Sequence, residues 1–128
     1  MPNTITSQTI QDGTYALVVK VHLNSDGSEE TDLVVVDAST FSPAFTNAQL
    51  LALDIIVAAP TLQARLEWDA NTDVPICTIG PTSLQLDWRK FGGLPNNAGT
   101  GVTGDILLTT LGLVSGDQLT MVFYLKKV

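Results

Sequence analysis

Short runs of period-two hydrophobicity, each closed by a cluster of turn residues, recur along this chain, and no segment sustains helical periodicity. In the clearest run, Tyr15, Leu17, Val19, Val21 and Leu23 fall on one face, with Ala16, Val18, Lys20 and His22 opposite. Leu62, Ala64, Leu66 and Trp68 share a face in a second run, and Leu84, Leu86 and Trp88 in a third. Gln, Arg, Glu and Asp fill the other side of both, so each reads as a strand with one wet face. In the last run Leu119, Met121, Phe123 and Leu125 line one face and Val122 and Tyr124 the other. A strand apolar on both faces is either central between layers or covered by a partner.

The connections carry turn chemistry. Asp12 and Gly13 close a hairpin after an edge strand over residues 4–11, and the stretch from Asn24 to Ser28 ends the next strand. The first three strands therefore read as consecutive hairpins. Residues 39–47 break the pattern, and Ser42 followed by Pro43 suits the cap and first position of one helical turn. Residues 50–59 read as a strand because Ile55, Ile56 and Val57 are β-branched in series. The chain is expected to be all-β: a single-domain β-sandwich over residues 1–128, of jelly-roll or immunoglobulin-like topology, with about eight or nine strands. The Cys-Trp-Cys signature of immunoglobulin domains is missing.

With 45% hydrophobic and 15% charged residues, the composition suits a large core, buried contacts, or both. The formal charge is −7 and the six cations are scattered, which argues against nucleic-acid binding. Cys77 is the single cysteine, so no intrachain disulfide forms. No signal peptide is visible at Met1 to Thr6, and residues 50–59, broken by Asp54, are too short to span a bilayer. Cytoplasmic synthesis without membrane association is expected.

Catalytic and metal patterns are weak. Gly99, Gly101 and Gly104 match G-x-G-x-x-G, but residues 106–110 read as a strand where a dinucleotide site needs a helix. Asp26, Glu29, Glu30 and Asp32 crowd one turn without the spacing of a calcium loop. His22 is the lone histidine, and Glu67 with Asp69 or Asp87 forms the only imaginable glycosidase pair. No catalytic residue, metal ligand or cofactor is assigned. Trp68 and Trp88 would serve a carbohydrate-binding module only if solvent-facing, whereas their periodicity points them into the core. Lys126 and Lys127 read as a solubilising edge device.

Residues 89–104 form a long Gly/Asn-rich stretch between strands, with Phe91 and Leu94 as its sizeable apolar groups. Loops this long are usually functional or disordered. It reads as an arm that meets another surface through Arg89, Lys90, Phe91, Leu94, Asn96 and Asn97. Residues 1–11 are a second candidate arm or edge.

The order of several segments resembles a family of small virion structural proteins of tailed bacteriophages. They are Asp12-Gly13-Thr14 with Val18-Val19-Lys20, Asp26 to Asp32, Arg65-Leu66-Glu67-Trp68, and Phe91 to Gly99 followed by Gly104 to Leu108. The resemblance implies a non-enzymatic capsid decoration or cement protein on the particle exterior, assembled in the host cytoplasm. It further implies symmetric oligomers, trimers foremost, that bind the major capsid protein or another virion protein. A tail or host-attachment module that binds carbohydrate through exposed tryptophan is the competing reading.

Overall fold

The computed structural model describes residues 3–41, 44–45 and 47–127. Among these residues ten strands form: β1 (Thr4–Asp12), β2 (Ala16–Asn24), β3 (Leu33–Val36), β4 (Ala48–Ala58), β5 (Gln63–Trp68), β6 (Val74–Ile79), β7 (Leu84–Asp87), β8 (Leu94–Pro95), β9 (Ile106–Leu111) and β10 (Gln118–Lys127). One sheet has the order β1-β2-β10-β4-β7, with β8 also on β4; the other runs β3-β9-β5-β6. All pairs are antiparallel.

The pairing nests. β5 pairs with β6, β4 with β7, β3 with β9 and β2 with β10. That is one long antiparallel hairpin rolled on itself, and the contacts β4–β10 and β5–β9 close the roll. The topology is therefore a jelly roll, which decides between the two sandwich classes that the strand count allowed. It also corrects the reading of three consecutive hairpins. β1 and β2 are a hairpin, but β3 crosses to the opposite sheet. Strand-by-strand patterning cannot register that switch, because a strand with one buried face looks the same in either sheet.

The core follows the period-two pattern. Leu17, Val19, Val21 and Leu23 of β2, and Leu119, Met121, Phe123 and Leu125 of β10, are buried against Ala64, Leu66, Trp68, Ile106 and Leu108 of the other sheet. The outer face of β10 is half-buried: Val122 lies beside Asp54 and Tyr124 beside Ala52 in the adjoining strand. The strand is central in its sheet, one of the two alternatives its composition allowed.

A 3-10 turn over Ala38–Thr40 follows β3, with Asp37 accepting from the Ser39 backbone at 3.1 Å. The cap is therefore Asp37. The pair Ser42 and Pro43, read as a cap in the sequence, lies outside the described residues.

Two charged residues are not where their neighbours in sequence suggested. Lys127 is buried, its ammonium 2.6 Å from Asp12 and 5.9 Å from the centre of the Phe45 ring, while Lys126 is exposed. Only Lys126 can act as a surface charge. Glu67, on the wet face of β5, is buried beside Arg65 at 3.3 Å and opposite Leu107 and Pro75 in register.

Candidate contact site

Residues 89–104 lie back on the domain along most of their length, which corrects the reading of a projecting arm. Arg89–Phe91 makes a 3-10 turn ended by Gly92 at φ 87°. The Trp88 amide donates to the Leu51 carbonyl (2.9 Å), exposed by the extra residue where β4 bulges against β10. Gly93, at φ 106°, presses on the same place: a β-carbon there would lie 2.9 Å from Leu51 Cδ2. Leu94 then pairs with Leu50 and Pro95 with Gln49. Farther on, the Asn71 amide donates to Thr100 O (3.0 Å), and Thr103 donates to Asp69 through its amide (3.2 Å) and its hydroxyl (2.7 Å). Glycine-rich composition freed the backbone to follow this path; the bonds made along it hold it there.

The six predicted contact residues therefore separate. Arg89, Lys90, Phe91 and Asn97 are exposed, Phe91 at 66%. Leu94 and Asn96 are half-buried; Leu94 packs on the core and is unsuited to anchor a partner. Asn96 Oδ1 accepts from the Ala98 amide (2.9 Å), and its Nδ2 is buried without a partner. No helix follows Gly104, and β9 begins two residues later, so the glycine triplet does not form a dinucleotide cradle.

The acidic turn ties the molecule together. Glu29 accepts from Thr110 Oγ1 and the Leu113 amide, both at 3.2 Å, and from the Gly112 amide. Asn3 donates to Ser28 O and Glu30 Oε1 and accepts from the Asp26 amide, each at 3.0 Å. The Ser28 hydrogen bonds hold the Asp26 carboxyl below its usual range. Carboxylates of Asp32, Glu67 and Asp73 come within 4.8 Å of one another on the outer face of the β3-β9-β5-β6 sheet. The chain brings them together from three separate segments, so no sequence spacing announces them. Thr109 bonds Asp32, Arg65 pairs with Glu67, and the Ala70 amide donates to Asp73, which gives each carboxylate a partner of its own.

On the outer face of the larger sheet, Asp54, Gln85, Asp87, Arg89 and Tyr124 line a recess of about 200 Å³ floored by Ala52 and Leu86. Arg89 forks onto Asp87 through Nε (3.0 Å) and Nη2 (2.9 Å), which pulls the Asp87 carboxyl down to about 2. Tyr124 donates to Asp54 Oδ2 at 3.2 Å; burial, then this contact, raises its phenol. His22, across the same face, is 2.8 Å from Thr120 Oγ1. The Glu67–Asp87 glycosidase pair is not formed, because the two residues lie on different sheets. Trp68 is 1% exposed and Trp88 packs half-buried on the core, so neither is a free platform.

Asp105 has a measurable electrostatic signature. Its Oδ1 accepts from the Ala38 amide at 2.7 Å, yet burial first, and the nearby Asp37 and Asp69 charges next, raise its carboxyl above the usual value. The ionised form is thus disfavoured in the fold. That penalty is full at neutral pH and vanishes once the carboxyl is protonated in both states. Asp105→Asn keeps the acceptor and removes the charge. Thermal melts should show the variant more stable than wild type at pH 7, with the gap closing as pH falls through the raised folded-state value and gone below about 3.8, the unperturbed carboxylate value.

Among the described residues, no helix is long and apolar enough to cross a membrane. No protein-family model matches the chain, and no curated protein does. Two solved structures are similar in outline. A cupin superfamily protein from Desulfitobacterium hafniense DCB-2 is 6% identical, with 96% of this chain and 79% of that one covered and a TM-score of 0.33. A carbohydrate binding module of family 29 is 11% identical, with 96% and 88% covered and a TM-score of 0.36. Neither informs function at that distance; the fold class rests on the sheets themselves.

Proposed function

We propose that this chain is a non-enzymatic virion structural protein of a tailed phage, a decoration or cement protein that binds the outer capsid. The observation that carries a binding role is a set of large apolar side chains left exposed on an otherwise closed core: Ile10, Tyr15, Ile56, Phe91, Leu111 and Val114. Exposed groups of this kind suit contact anchors. The Arg89–Phe91 turn holds Phe91 outward on a hydrogen-bonded base, so little ordering entropy is lost when it docks. The particle assignment itself comes from the resemblance of the ordered segments to phage virion proteins. Net negative charge suits an outer surface better than contact with packaged DNA.

The recess around Tyr124 and Arg89 favours a second reading, a module for a neutral polyhydroxylated ligand such as a saccharide. Its donors and acceptors already bond one another, which weakens the case.

Reconstructions of particles with and without this chain test the first reading. Added density on the capsid exterior is expected, and absence of the chain from purified virions would overturn the proposal. Phe91→Ala should lower particle occupancy several-fold while leaving the melting temperature nearly unchanged, because the side chain is 66% exposed.

A further inference from the structure

We infer that the β1 edge pairs with β1 of a second copy of this chain, antiparallel about a two-fold axis. The argument rests on how differently the described sheet edges are protected. β7 and β8, on one edge, have four and two residues, and β8 contains Pro95. β3 has four residues with a bulge at Val35, and β6 is interrupted by Pro75 and a bulge at Ile76. Short strands, bulges and proline are the devices that blunt an edge. β1 has nine residues and contains neither proline nor lysine; its own bulge, at Ile10, lies beyond the run Thr4 to Thr9, which holds regular register with β2.

This strand is also held ready rather than frayed. Asn3 pins one end through three hydrogen bonds, and the Asp12–Lys127 ion pair pins the other. Ser7 and Thr9 share a face with buried Val21 and Val19 yet are exposed, so the second sheet stops short of β1. A strand added alongside would meet no obstruction from that layer.

A second copy is the occupant that the charges and edges favour. The run 4–9 carries no charge in a chain of net charge −7, so its edge is where two copies approach with least repulsion. Faces match across a two-fold only if the axis passes through a residue, and centring on Thr6 or Ser7 pairs the most of the run 4–9. Either register sets Thr6 opposite Thr6 or Gln8, a polar pair that hydrogen-bonds across strands, places Ile5 opposite Ser7 or Thr9, and leaves each Asp12 outside the paired run. A three-fold ring would need a second long free edge to receive β1, and the other edges described are the blunted ones. The contact is smaller than a standard interface, so it is weak and concentration-dependent. It stands or falls independently of the particle reading.

Sedimentation of the full chain from about 1 μM to about 1 mM tests it, the range in which weak contacts dissociate. A reversible monomer–dimer equilibrium is expected. Thr6→Lys with Gln8→Lys puts like charges opposite each other in either register, on exposed positions, and should weaken the dimer about tenfold or more without lowering the melting temperature. The same change reduces the net negative charge, so general repulsion would act the opposite way. Thr6→Cys and Ser7→Cys, made separately, should each report one register by disulfide cross-linking. Native Cys77 gives little background, since burial raises its thiol to about 11. A chain that stays monomeric and uncross-linked, a dimer that survives the double lysine variant, or a trimer would each overturn the inference.

Discussion

Asp12→Ala is expected to destabilise the fold by about 3 kcal/mol, whereas Lys127→Met should leave stability near wild type. The asymmetry follows from burial. The Lys127 side chain is 4% exposed and Asp12 25%, at a separation of 2.6 Å. Removing the carboxylate strands an ammonium among the ends of β1, β2 and β10, with the Phe45 ring as its remaining nearby partner among the described residues. Removing the ammonium leaves a carboxylate that water still reaches, and methionine refills the space. The figure is at the low end for a broken buried pair because Asp12 is partly solvated. Thermal melts of both variants check this: a fall of roughly 10 °C for the first and little change for the second. Equal losses would mean that the pair acts through packing rather than charge.

The second large effect is at Gly112. It follows β9 at φ 86°, donates its amide to Glu29 and accepts from Thr61 Oγ1 at 2.7 Å. A β-carbon there would fall on the Thr61 carbonyl, which is backbone and cannot swing aside. Gly112→Ala should therefore cost about 3 kcal/mol: the left-handed conformation accounts for roughly 1–2 of that, and the displaced turn with its Glu29 bonds for the rest. Gly116 is the internal control. Its φ is 92° but nothing lies within 4 Å of the added carbon, so Gly116→Ala should show the conformational part alone. Denaturant unfolding of the two variants separates the terms, and equal midpoints would show that the close approach to Thr61 is relieved without cost.

Strands with period-two alternation were the most legible elements. β2, β5 and β10 bury nearly every residue that their period-two pattern selects, because alternation is a property of the strand alone. Tyr15 extends the β2 pattern but stands at the hairpin turn, beyond the reach of the opposing sheet, and is exposed. The candidate contact residues were less legible. Phe91 and Leu94 are equivalent by composition, yet one caps an exposed turn and the other adds a rung to β4. The difference lies in a bulge at Leu51, some forty residues earlier, whose carbonyl receives Trp88. The acidic turn was legible as a charge cluster but not as a clasp, since its hydrogen-bond donors belong to the β9–β10 connection.

Alternation, β-branching and turn residues thus determined that this chain is all-β, that it forms a sandwich, and which side chains face its interior, since each of these depends on neighbours a few positions away. Tertiary structure alone decided the jelly-roll order, the burial of Lys127 and Glu67, and the path of the glycine-rich stretch. Those depend on groups that meet across the fold, 115 positions apart for Lys127 and Asp12, and charge or flexibility read locally cannot say what a side chain will meet.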